Sequence, residues 1–154
     1  MRRLTILLLL MTFAVALRAA ANDETVDELK SRFASARPED RPELAVRIAQ
    51  HQLRAADQLY ADGKVESARA AVEDIASYSE KARDAAIETK KRLKNVEIDV
   101  RKMAEKLRDI KRTLAFEDQA PLEEAIRRME DVRTTLLKEM FTDSKKKDNK
   151  KEPK

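Results

Sequence analysis

The chain has 154 residues, 40% of them charged and 4% aromatic, with a formal net charge of +4, one Gly, one His, four Pro and no Cys or Trp. A single Gly excludes the Gly-rich phosphate loops of nucleotide-binding folds, and one His without Cys excludes zinc fingers, iron–sulfur sites and multi-His metal centres. The scarcity of Gly, Pro and β-branched runs argues against an all-β domain, so the expected class is all-α.

Residues 1–21 read as a signal peptide. Arg2 and Arg3 form a positive start, Leu4 to Leu17 is an apolar run broken only by Thr5 and Thr12, and Ala19-Ala20-Ala21 precedes Asn22. Cleavage is expected between Ala21 and Asn22. As a helix the run would span about 21 Å, short of the ~30 Å hydrocarbon core. The expected location is therefore the periplasm or the exterior.

Removing the leader leaves 30 basic against 29 acidic residues. Six of those basic residues are lysines in the last eleven positions, so residues 22–143 carry 24 basic against 27 acidic residues. The positive charge belongs to the two ends, and it gives little support to a nucleic-acid partner. Residues 22–143 are expected to form one helical domain, and 144–154 a disordered Lys-rich tail.

Asp23 to Ala36 is a short amphipathic segment with Val26, Leu29 and Phe33 at helical spacing and Asp23 as its expected cap. The stretch from Arg37 to Pro42 interrupts it. Asp40 and Glu43 then have the spacing of a capping box, and the helix they open, about 42–61, ends at Asp62-Gly63.

From Val65 an apolar 3-4 pattern runs unbroken to Leu114, with only Ser79 and Thr89 as polar members. No Gly or Pro falls between Lys64 and Ala120, so the spacing predicts one central coiled-coil-like helix over about 65–116, roughly 78 Å long. Its seam is weakest from Ser79 to Thr89, where a kink would instead close a four-helix bundle. After the break at 117–121, a last helix over about 121–141 carries Leu122, Ala125, Met129, Val132 and Leu136. The two tight connections make both flanking helices antiparallel to the central one, giving helical hairpins. Glu43–Arg47, Glu88–Arg92, Glu97–Arg101, Glu123–Arg127 and Glu124–Arg128 all have the favourable i,i+4 order.

The run Leu59-Tyr60-Ala61-Asp62-Gly63-Lys64-Val65-Glu66-Ser67-Ala68 resembles the turn of a single tetratricopeptide-type hairpin, within residues 48–78. That family stacks several hairpins into a peptide-binding groove, and the resemblance implies one helix–turn–helix unit of that kind. Gln52 lies near the place of the large aromatic that the family has early in its first helix, and no second copy follows. A generic helix–Gly–helix turn accounts for the same residues.

No catalytic, cofactor or metal group emerges. His51 has no carboxylate at one-turn spacing, and the paired acids sit in first helical turns, where the helix dipole favours them. The expected function is an exported structural or interaction protein. Its contacts, including self-association, would use the seam Leu93, Val96, Val100, Met103, Leu107, Ile110 and Leu114, with Ile87 and Ile98 on its flanks. One alternative is a periplasmic holdase-type chaperone. Another is a binder of anionic envelope polymers or membrane surfaces through Lys90, Lys91, Arg92, Lys145, Lys146 and Lys147.

Overall fold

The computed structural model describes residues 24–149. The expected cleavage site at Ala21 and Asn22, and the end of the tail, lie outside them. The described chain is all-helical: α1 (Val26–Ser35), α2 (Arg41–Ala61), α3 (Val65–Thr89), α4 (Leu93–Thr113) and α5 (Ala120–Asn149), with a short 3-10 turn at Phe116–Asp118.

The expected bundle of antiparallel hairpins is present, but the central helix is not continuous. It stops at Thr89 and restarts at Leu93. Lys90 and Arg92 hold the left-handed conformation, with φ of 55° and 61°. Neither is Gly, so each costs roughly 1–2 kcal/mol. The return is larger. Val96, Val100, Met103, Leu107 and Ile110 of α4 are all buried, at about 1.5–3 kcal/mol for each full burial. Closing within the chain also avoids the association entropy that burial against a second chain would cost.

Ion pairs fix the directions. Arg92 reaches Glu43 and Lys106 reaches Asp57, so α4 runs parallel to α2. Lys111 pairs with Glu123 and Arg133 with Glu97, so α5 runs antiparallel to α4. Arg69 pairs with Asp118 and Arg128 with Glu73 and Glu80, which sets α5 parallel to α3. The hairpins α2–α3 and α4–α5 thus close into a four-helix bundle, with α3 leading diagonally into α4.

The small residues of the weak seam have a packing role. Ala68, Ala71, Ala76, Ala82 and Ala86 of α3 are buried, as are Ala45, Ala49 and Ala56 of α2, which makes its most extensive contact with α3. Ser79 is fully buried and donates its hydroxyl hydrogen bond to the Ile75 carbonyl at 2.8 Å. The hairpin turns at Gly63, whose φ is 73°. There the Lys64 N–H reaches back to the Leu59 carbonyl at 2.8 Å, satisfying one of the last carbonyls of α2.

Three local expectations are corrected. Thr25, not Asp23, caps α1, through a reciprocal box with Glu28. Asp40 precedes α2 without capping it, because its carboxylate accepts from Arg37 instead. The last helix continues past Phe141 to Asn149. Lysine is a good helix former, and no Gly or Pro precedes Pro153 to stop it.

α1 lies across α2 and α3. Leu29 is fully buried, Phe33 meets Tyr78 edge to face with ring centroids 5.8 Å apart, and Lys30 reaches Asp74 at 2.7 Å.

Candidate interaction surfaces

The reversal at residues 90–92 turns the seam inward. Val96, Val100, Met103, Leu107 and Ile110 lie in the core, and Leu93 and Leu114 pack partly buried against it. The facing layer is the α5 stripe Leu122, Ala125, Met129, Val132 and Leu136. The seam is therefore not an outer face. Its expected flanks, Ile87 and Ile98, are half-buried.

The basic stretch is also committed inside the chain. Lys90 pairs with Glu139 of α5, Lys91 approaches Glu39 at 3.8 Å, and Arg92 reaches Glu43 at 2.6 Å. The three cations of the turn thus tie it to α5, to the α1–α2 connection and to α2. Each pair is half-exposed and worth about 0–1 kcal/mol, so together they locate the turn more than they stabilise it. Further along, Lys106, Arg108 and Lys111 pair with Asp57, Glu130 and Glu123. Lys94, Arg101 and Lys102 remain exposed. Lys145, Lys146 and Lys147 stand on the helical backbone near the end of α5.

Two clefts flank the first half of α2 and share Glu43 and Arg47. One, of about 400 Å³, is lined by Arg32, Arg37, Arg47 and Asp40; the other, of about 250 Å³, by Arg92, Asn95 and Asp99. Arg32 holds both oxygens of Glu24, at 2.5 and 2.7 Å, and Arg47 adds a contact at 2.9 Å. Hydrogen bonding from Arg32 holds the Glu24 carboxyl below its usual range. The arrangement is chemically a carboxylate clamp, already occupied by the chain's own side chain. In the other cleft, burial pushes the Asp99 carboxyl up.

The large apolar side chains most open to solvent are Phe116, 88% exposed, Phe141, 68%, and Leu137, 37%. Phe116 sits on the 3-10 turn between α4 and α5, at the end of the bundle opposite residues 90–92. Phe141 and Leu137 lie one helical turn apart on α5. Sequence reasoning did not single out any of the three as a surface feature. The available signal was local for Phe116, which stands two residues outside the 3-4 pattern and just before Glu117-Asp118.

The chain matches no family model, no curated protein and no solved structure. Among the described residues, no group of three or more His, Cys, Asp or Glu is arranged to hold a metal ion, and no helix is long and apolar enough to cross a membrane.

Proposed function

We propose that the protein is an exported, non-catalytic interaction protein, in which a four-helix bundle presents surface side chains to a protein partner. Phe116 carries this reading. A phenylalanine 88% exposed on a short turn, held by the ends of two packed helices, exposes apolar area that the fold itself does not use. At the same end of the bundle Glu117, Asp109, Asp62 and Glu66 are exposed, with Arg112 and Lys64. Asp109, Asp62 and Glu66 are paired with Arg112, Lys64 and Arg69, so this end is polar and nearly charge-balanced, which suits an apolar recess with a polar edge on the partner.

The test places a photoreactive phenylalanine analogue at position 116 in cells that export the protein, with the same label at exposed Lys94 as control. A discrete heavier product specific to position 116 is expected. The same product pattern from both positions would overturn the reading. Export itself predicts a mature chain beginning at Asn22, read by N-terminal mass analysis.

A second reading, binding of anionic envelope polymers or lipid surfaces, is favoured by one observation: Lys145–Lys147 follow on helical backbone beyond the Lys90–Glu139 pair. Truncation before Ser144 would then abolish co-sedimentation with envelope fragments. The holdase alternative, argued from composition alone, has fewer adaptable apolar groups at the surface to draw on, since the seam residues face the core. It predicts suppressed aggregation of an unfolding client at near-stoichiometric ratio.

A further inference from the structure

Two buried polar atoms have no hydrogen-bond partner among the described protein atoms, the Tyr60 hydroxyl and Arg69 Nε. Tyr60 stands in the last turn of α2 and Arg69 in the second turn of α3, on either side of the antiparallel connection at Gly63. Among charged groups Arg69 acts most strongly on the Tyr60 hydroxyl, ahead of Asp118 and Glu66. Tyr60 is only 8% exposed. The Nε–H can only donate and the hydroxyl can donate, so the group both lack is an acceptor. Keeping two such donors buried costs stability, and a ligand that supplies the acceptor accounts for their place.

The guanidinium of Arg69 is half filled. Its Nη1 donates to Glu66 Oε1 at 2.8 Å and its Nη2 to Asp118 Oδ1 at 3.0 Å. The Nε–H, which runs parallel to one Nη2–H, meets no acceptor. Parallel donors of this kind match the two oxygens of a carboxylate. Asp118 gives the fork one oxygen only, and it comes from the 3-10 turn, none of whose residues is buried. The Arg69–Asp118 pair is partly exposed, so its hold on that turn is weak. A phosphate fits less well, because it would bring additional negative charge close to Glu66 and Asp118.

We propose that Tyr60 and Arg69 form a carboxylate-binding site. The incoming carboxylate displaces Asp118, lies across Nε and Nη2 of Arg69, and accepts a third hydrogen bond from the Tyr60 hydroxyl. One carboxylate replaces another, so no charge is left buried without a counterpart, and the released Asp118 turns to water. Asp118 shares its turn with Phe116, so the site deepens the reading of that end as a partner surface. It names an acidic side chain or a chain end as the group that a partner inserts beside Phe116. The test uses no partner, and its result is separate from that of the label at position 116.

Heteronuclear NMR of the exported chain reads the site through the Arg69 Nε–H resonance, assigned with Arg69→Lys. The probe is sodium acetate at neutral pH, with chloride holding the ionic strength constant. The Arg69 resonance is expected to follow a saturating curve in the millimolar range, while that of exposed Arg112 does not saturate. Inorganic phosphate binds more weakly than acetate. Tyr60→Phe weakens acetate binding about tenfold and also stabilises the free protein against urea, a combination that a packing defect does not give. Asp118→Ala, which removes the competing oxygen, tightens binding about threefold. An Arg69 resonance that fails to saturate in both the wild type and Asp118→Ala overturns the proposal. Equal acetate affinity in Tyr60→Phe and the wild type does the same. A Tyr60→Phe protein less stable than the wild type would show that a buried water already fills the place, and tighter binding of phosphate would assign the fork to another anion. The proposal fails in both of those cases.

Discussion

Tyr60 has a buried polar atom without a partner, as does Arg69 at its Nε, and Asp99 has a carboxyl raised by burial. The Tyr60 hydroxyl is buried and has no hydrogen-bond partner among the described protein atoms, and burial raises its pKa. A buried hydroxyl without a partner forgoes about 1–3 kcal/mol, so Tyr60→Phe is expected to raise stability by roughly 1 kcal/mol in urea denaturation. A loss of that size would show that the hydroxyl is satisfied. For Asp99 the folded carboxyl is raised above its ordinary 3.8 by burial. A raised carboxylate pKa means that the ionised form weakens the fold at neutral pH, and that this cost is absent below the unfolded value. Asp99→Asn is therefore expected to raise the urea midpoint at pH 7, with the gain fading as the pH falls through the raised value and gone below about 3.8. A gain that persists unchanged into acid would contradict the assignment.

At the scale of elements, salt bridges join helices more than they support them singly. None of the five expected i,i+4 Glu–Arg pairs forms. Arg47 turns to Glu24, Arg92 to Glu43, and Arg128 to both Glu73 and Glu80, while Arg133 takes Glu97. Sequence spacing gives the neighbours on one helix and is blind to the helix alongside. Arg128 is the most enclosed of these cations, with its side chain 20% exposed, and it locks α3 to α5 through contacts at 2.8 Å. Arg128→Met keeps the stem and removes the fork, and is expected to cost about 1–2 kcal/mol in urea. Hydrogen bonding from Arg128 lowers the Glu80 pKa below its ordinary 4.5. The stability from this pair is thus complete above that value and is lost as the pH falls through the lowered one. The wild type and Arg128→Met should converge in stability in strong acid, and a constant gap down to pH 2 would contradict the linkage.

Across the whole molecule, the helices, the hairpin turn at Gly63 and the core positions were legible in the sequence. Apolar residues at 3.6 spacing report burial whatever covers them. The reversal at 90–92 was not legible, because no Gly or Pro marks it. Lys90 and Arg92 adopt a conformation that their own chemistry disfavours, and the burial of α4 against α5 and α2 outweighs it. The weak seam from Ser79 to Thr89 pointed to the right neighbourhood for a different reason: its small side chains let α2 approach. The surface features were less legible still. Apolar spacing alone did not single out Phe116, Leu137 and Phe141 as exposed, and the three-dimensional ends of α4 and α5 leave them outside.

The reversal decides whether the seam is core or surface, and one distance tests it. The chain has no Cys, so Glu66→Cys and Arg112→Cys, both at exposed positions, can each carry a spin label without other changes. With α3 and α4 folded back, the labels stand at the same end of the bundle, and a distance of about 15–25 Å is expected for helices spaced 8–10 Å between neighbouring axes. One continuous helix would separate the same positions by ~69 Å, and a distribution centred there would return the seam to the surface and contradict the account.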